Sequence, residues 1–375
     1  MIKDTDANIV HLSHWLYREF PDIFSGLLHI LQEQHVAFEV IPNTNDLWCR
    51  DYMPVQIDNE RFVCYTYCPD YLRKNKTRRK YITDAHEMCE LLGLDAKHTD
   101  IIIDGGNVVK AGNRIIMTEK VFVENPQYTP KALQEELEKL FECELLFLPW
   151  DRTEKYGHSD GIVKEISNDT VLMTNYADFD SKLAAEMVKQ LSHVFHVETL
   201  HYDNLKKDDR SWAYINFLSV GELIVLPQLG IDHDEQAYKQ VCDYYPHHTV
   251  RELNVVESVA NGGGLNCITW CRKGTVSIIE AVSHFTKTIM NEAEWNYYEK
   301  EKWLKYAQEI KREIDKSGDR VEKKIVSEMV RAIGAAKYAP EAEKQFHLWN
   351  RELEKERIKT GKIKILLNPS SANKV

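Results

Sequence analysis

No uninterrupted apolar run in this chain approaches the roughly 20 residues needed to cross a bilayer as a helix. The opening residues, Met1-Ile2-Lys3-Asp4-Thr5-Asp6, carry no apolar stretch of the kind found in a secretory leader. No membrane partner is implied, and the expectation is a soluble, cytoplasmic protein. Positive charge is also in deficit: 48 Lys and Arg stand against 59 Asp and Glu, a formal net charge of -11. Such a balance argues against binding a nucleic-acid backbone and mildly favours a cationic ligand.

Metal and nucleotide signatures are equally scarce. The eight cysteines, at 49, 64, 68, 89, 143, 242, 267 and 271, form no CxxC pair and no zinc-ribbon spacing, and most read as reduced packing residues. His158-Ser159-Asp160 could donate two metal ligands, but no HExxH and no Cys/His cluster visible in the spacing completes a site, so the reading is no metal. Gly105-Gly106 after Asp104 lacks the GxxxxGK and GxGxxG contexts of nucleotide loops and is as well explained by a tight turn.

What is present is a 375-residue chain with 43% hydrophobic residues, enough for a full core. Its patterning repeats. An amphipathic helix over about 11–35 and a strand at 38–41 are followed by a strand-strand-helix-strand unit: 53–57, 61–67, 83–92 and 100–103. A second unit runs through 107–110, 114–117, 130–141 and 145–148. A third has strands at 161–165 and 170–174, a helix from 181 to 191 and a strand at 197–200, and a fourth runs through 214–218, 223–226, 235–244 and 249–253. A fifth starts at Cys267 and lacks a helix and a strand, which the N-terminal helix and the strand at 38–41 can supply. The predicted fold class is therefore α/β, a closed five-bladed α/β propeller of ββαβ repeats. The alternative, a doubly wound sheet, fits paired strands before each helix less well.

Beyond about Ala281 the composition shifts to Glu, Lys, Trp and Tyr, with Trp295, Tyr298, Trp303, Tyr306, Ile310 and Ile314 at helical spacing. A second series, Val321, Ile325, Met329, Ile333 and Ala336, then Phe346 and Trp349, predicts two or three helices, with a short strand at 363–367. The expected division is a catalytic domain over 1–282 and a helical C-terminal extension over 283–375, the extension being a packed cap or the seat of a homo-oligomer.

Reactive residue types recur near the start of each repeat: Asp51, Asn107, His158 with Asp160, Asn216 and Cys267, at intervals of 56, 51, 58 and 51 residues. In a ring, equivalent positions converge on the axis and line one pocket. A guanidinium, planar and cationic, fits this set. Carboxylates such as Asp51 and Asp160 can hold it bidentately while a thiolate, Cys267, attacks its central carbon. Expelling ammonia and then activating water asks for a group that gives and takes a proton, for which His158 is the candidate. The glycines before Cys267, Gly262-Gly263-Gly264, suit a crowded nucleophile loop. Each element has a plainer reading on its own: a cysteine that opens a strand is ordinarily packing, and Asp51 beside Arg50 can be an ordinary ion pair.

Together the motifs Trp48-Cys49-Arg50-Asp51-Tyr52-Met53-Pro54, Asp104-Gly105-Gly106-Asn107, Gly157-His158-Ser159-Asp160, Tyr214-Ile215-Asn216-Phe217 and the run from Gly262 to Thr269 are similar to those of the agmatine deiminase and bacterial-type peptidylarginine deiminase family. The resemblance covers about residues 10–282. It implies a pentein propeller with no cofactor, Cys267 as nucleophile, His158 as acid and base, and Asp51 and Asp160 as guanidinium-binding carboxylates. By the same resemblance Asp104 stands near the histidine or the substrate, Asn216 in the pocket wall and Trp48 against the substrate, with Asn107 and Gly264 completing the substrate-binding set. The chain departs from the agmatine deiminase pattern at Tyr52-Met53 and at Trp270-Cys271-Arg272. The implied activity is hydrolysis of a guanidine, whether agmatine, another small guanidine or an arginine side chain, through a thiouronium intermediate. Amidino transfer to an amine and a non-catalytic binding module are the alternatives.

Overall fold

Runs rich in β-branched and apolar residues, broken by turn residues, form the hairpins, and the amphipathic run after each hairpin becomes the helix that carries the chain back to a third, parallel strand. The computed structural model describes residues 1–206, 209–275, 291–336 and 339–360. In blade order the strands are β3 Val55–Gln56, β4 Arg61–Thr66 and β5 Asp95–Ile102; β6 Val109–Ala111, β7 Arg114–Thr118 and β8 Glu144–Leu148; β9 Val163–Ser167, β10 Thr170–Met173 and β11 His196–Thr199; β12 Leu218–Val220, β13 Leu223–Gln228 and β14 Thr249–Asn254. In every blade the first two strands are antiparallel and the last two parallel.

The second blade shows how sequence sets the unit. Gly112, at φ 56°, opens the tight turn between β6 and β7. Thr129 caps the helix Pro130–Phe141 by accepting from the Ala132 N–H, with proline at its first position, and Glu142 ends it in the left-handed conformation. Leu133, Leu137, Leu140 and Phe141 make the buried stripe, packed with Ile115, Met117 and Leu145.

The fifth blade is closed by segments from both ends of the propeller part of the chain. β15 Thr269–Arg272 pairs antiparallel with β1 Ile9–Ser13, which pairs parallel with β2 Ala37–Ile41. The five-bladed α/β propeller of ββαβ repeats is thus the observed architecture.

Local departures have physical reasons. The expected helix from His11 begins only at His14, because Ile9–Ser13 is a strand buried at every position and shows no alternation to separate it from the helix behind it. Pro21 then splits the remainder into His14–Glu19 and Pro21–Glu33. β5 starts at Asp95, five residues before the expected position, since its first half is polar and largely exposed. The expected strand at 214–218 is a 3-10 turn, Ser211–Ile215, followed by β12.

The chain divides into two compact units, Met1–His284 and Phe285–Val375. Among its described residues the second holds three helices, Asn291–Ser317, Arg320–Ala335 and Ala339–Lys359. Trp303, Ala307, Ile314, Val326, Met329, Ile333 and Phe346 are buried together, whereas Val321 of the expected apolar series is exposed. Asp319 and Glu322 form a capping box at the start of the second helix, and Glu322, fully buried, also pairs with Arg357 Nε at 2.9 Å. The strand expected at 363–367 and the boundary expected at 282/283 lie outside the described residues. No described helix is long and apolar enough to cross a membrane.

Candidate active site

Four blades open with a short helical turn just before the first strand: Cys49–Tyr52, Gly105–Asn107, Ser159–Gly161 and Ser211–Ile215. Successive turns touch one another around the ring, and the first also touches β15, which follows Cys267. This arrangement gathers side chains from five places in the sequence. Asp51, His158 and Cys267 line one cavity of about 740 Å³, with Trp48 in its wall. That size suits a small ligand.

His158 sits between two carboxylates. Its Nε2 is 3.0 Å from Asp104 Oδ2 and its Nδ1 is 3.8 Å from Asp51 Oδ1. Asp51 is fixed in turn: its Oδ1 accepts from the Gly106 N–H at 3.1 Å, and Tyr65 donates to the Asp51 and Met53 carbonyls at 2.9 and 2.8 Å. Gly106 is obligatory at this approach, because a Cβ there would stand 2.5 Å from His158 Nδ1 and 2.8 Å from Asp51 Oδ1. Gly105 is under the same constraint against the Arg50 carbonyl.

The Cys267 sulfur lies 3.2 Å from Asn216 Oδ1 and 3.9 Å from Asp160 Oδ2. Asn216 Oδ1 also accepts from the Cys267 N–H at 3.3 Å, so this one amide locates both ends of the cysteine. Gly264 packs so tightly on Asn216 that a Cβ would lie 2.7 Å from Oδ1, and Gly263 lies flat against the Trp48 ring. Asp160 accepts from Asn266 Nδ2 at 2.7 Å and lines a small adjoining cleft with Arg50 and Lys164.

The electrostatics follow from burial and crowded charge. Burial pushes the Cys267 thiol up, Asp160 and Asp51 push it further, and the Gly264 N–H and the Asn216 amide only partly oppose them. Burial likewise raises the Asp51 carboxyl above the usual carboxylate range, with Asp104 and Asp160 adding to it against the pull of His158. For His158 burial acts downward, but Asp51, Asp104 and Asp160 together overcome it and lift the imidazole to about 9. At neutral pH the resting site therefore holds a protonated thiol and an imidazolium.

Of the residues singled out in the sequence, Asp51, Asp104, Trp48, His158, Asp160, Asn216, Gly264 and Cys267 are brought together here. Asn107 is placed differently. Its Oδ1 accepts from the Thr118 N–H at 2.7 Å and its Nδ2 donates to the Thr118 carbonyl at 3.4 Å, so both ends of the amide are used on main chain. It braces the loop that carries Gly105 and Gly106 rather than offering a group to a ligand.

Three features escaped the sequence reading. Asp46 lines the cavity, its carboxyl pushed up by burial to about 6 despite the Trp48 and Leu47 N–H groups; its place two residues before Trp48 was the available signal. Asn266, adjacent to Cys267, bridges Asp160 to Lys164 Nζ, the latter at 2.8 Å. Arg78, Lys80 and Lys155 line the same cavity as Asp51 and Asp46. The basic run Lys74, Lys76, Arg78, Arg79, Lys80, unusual in an acidic chain, was legible but was not used.

The sequence family described as Porphyromonas-type peptidyl-arginine deiminase matches residues 25–271. A Mycoplasma mycoides protein provisionally named agmatine deiminase is 23% identical over 222 residues, covering 49% of this chain and 61% of its own length. The chain thus spans about three fifths of the first curated relatives it matches. Agmatine deiminase from C. jejuni superposes with a TM-score of 0.60 at 17% identity, covering 74% of this chain and 96% of that one. The Enterococcus faecalis agmatine deiminase does so at 0.58 and 18%, covering 72% and 94%. These likenesses establish the pentein fold. With the family match extending over most of the propeller, the chain belongs to the Porphyromonas-type peptidyl-arginine deiminase family.

Proposed function

We propose that this protein hydrolyses a guanidine to the ureido product and ammonia, with Cys267 as nucleophile and His158 as acid and then base. The observation that carries this reading is the convergence, from separate blades, of a thiol, an imidazole held by two carboxylates, and a further carboxylate, Asp160, 3.9 Å from the sulfur. A guanidinium held by Asp51 and Asp160 brings positive charge to a site where these carboxylates keep the thiol protonated. Their neutralisation lowers the thiol toward ionisation, so the substrate activates its own nucleophile.

The thiol proton passes to solvent as the cationic substrate seats, and the thiolate forms a C–S bond to the central guanidine carbon. The imidazolium of His158 gives its proton to the departing nitrogen, and the C–N bond breaks to release ammonia. Neutral His158 next takes a proton from water, whose oxygen attacks the thiouronium carbon; the C–S bond breaks as the carbonyl forms, and the remaining hydroxyl proton passes to the departing sulfur, restoring thiol and imidazolium. Asp104, 3.0 Å from Nε2, holds the ring in register for both transfers.

The cavity also suggests what lies at the far end of the substrate. Arg78 and Lys155 line it and make no ion pair among the described residues, and burial together with Arg78 lowers the Lys155 ammonium. Cationic side chains lining the same cavity as Asp51 fit a guanidine that carries an anionic group, such as free arginine or a peptide ending in arginine, better than agmatine with its second cation. A panel of agmatine, arginine and arginine-terminated peptides, read by ammonia release, tests the reaction and the preference. Arg78→Glu is expected to raise KM for the anionic substrates about fivefold to tenfold and lower it for agmatine. Equal effects on both would show that Arg78 does not read the far end, and a new guanidine appearing on an added amine would replace hydrolysis by amidino transfer.

A further inference from the structure

One group of metal-ligating side chains lies outside the active site. Cys64 on β4 and His98 on β5 are direct partners in the parallel register of the first blade. The helix Ala85–Leu91 packs on β4 and presents His86 and Cys89, one turn apart on the same face. Ligand atoms of Cys64, His86 and His98 all lie within 4.8 Å of one another. Cys89, also buried, packs with Cys64 and Ala85 beside this group.

We propose that Cys64, His86 and His98 form a binding site for a zinc-type divalent cation. One sulfur and two imidazoles are donors such ions take, with metal–ligand lengths near 2.3 Å to sulfur and about 2.0 Å to nitrogen and the fourth tetrahedral position left to water. Donors on one tetrahedral ion stand between three and four ångströms apart, roughly, so the observed group needs only a small contraction. The environment is graded as such a site requires. Cys64 and Cys89 are buried, His86 is half-buried and His98 is exposed, which leaves an entry path from solvent. The two imidazoles stack with ring centroids 3.9 Å apart, and neither has a hydrogen-bond partner among the described residues.

The sequence shows no zinc signature here because the donors are spread over positions 64, 86 and 98, and only the β4–helix–β5 crossover brings them together. Without an ion, the interface holds a buried pair of thiols where apolar packing would be expected. With one, the ion ties the helix to the sheet. Cys64 precedes Tyr65, whose side chain points to the opposite face of the strand and fixes the Asp51 and Met53 carbonyls. The ion would therefore anchor the back of the strand whose front positions Asp51.

The test uses full-length protein expressed with added zinc and purified without chelator, in the Cys267→Ala background so that the active-site thiol cannot bind metal. Elemental analysis is expected to find about one zinc per chain, and cobalt substitution to give thiolate-to-metal charge-transfer absorption. His98→Ala changes an exposed residue and keeps the fold, and it is expected to weaken zinc binding at least about tenfold. Cys64→Ser, if it folds, should lose both the metal and the charge-transfer band. A purified protein without stoichiometric zinc, cobalt bound without sulfur charge transfer, or zinc retained undiminished in His98→Ala would each overturn the assignment. These readouts are independent of catalysis, so they stand or fall separately from guanidine hydrolysis.

Discussion

Cys267→Ala is expected to lower kcat for ammonia release by roughly 10⁴-fold or more, leaving the protein folded. The size follows from what the sulfur does. Every bond change in the proposed reaction passes through a C–S bond, and water attacking a resonance-stabilised guanidinium directly has no comparable route. The neighbours can hold the substrate but cannot replace the attack: Asp160 stands 3.9 Å from the sulfur and Asn216 Oδ1 3.2 Å. The substitution is not expected to reduce the melting temperature. The resting thiol is protonated and uncharged beside Asp51 and Asp160, and its removal costs little more than one weak hydrogen bond to Asn216. Loss of turnover with an unchanged melt separates a catalytic thiol from a packing one. Ammonia release at the wild-type rate by a folded Cys267→Ala protein would end the thiouronium mechanism.

The spacing of Asp51, Asn107, His158, Asn216 and Cys267 made the ring legible because each blade places the same structural position, the turn before its first strand, at the axis. Spacing reports position, however, and not which way a side chain turns. Asn107 keeps the interval and yet uses its amide on Thr118, while Asp46, outside the interval, reaches the cavity. Periodicity failed in two opposite circumstances. Ile9–Ser13 is buried on both faces and shows no alternation, and the first half of β5 is exposed and has little apolar signal. Both misreadings had consequences beyond boundaries: the first hid the central strand of the closing blade, and the second hid the register that sets Cys64 beside His98. The glycines before Cys267 suit a crowded nucleophile loop, and Gly264 does admit Asn216 at close range. Gly106, which a tight turn would explain as well in the sequence, admits His158 and Asp51.

His158→Gln is expected to reduce kcat by about 10²- to 10⁴-fold and to alter two pH profiles together. The imidazole is raised from its ordinary 6.5 to about 9 because three carboxylates outweigh its burial. As the proton donor to departing ammonia it must begin each cycle charged, so kcat/KM of the wild type should fall as pH passes through about 9. The variant should lose that alkaline limb. The same shift acts on stability. A group whose folded pKa lies above its unfolded value contributes stability that is complete below the unfolded pKa and disappears as pH rises through the folded one. Here the window runs from 6.5 to about 9, and the contribution is on the order of 3 kcal/mol. The wild-type melting temperature should decline across that window, and that of His158→Gln should be lower at pH 6.5 and change less. A wild-type melt that is flat from pH 6.5 to about 9 would show that the ring is not held charged between Asp51 and Asp104. An activity profile that keeps its alkaline limb in His158→Gln would assign the proton donor to a different residue.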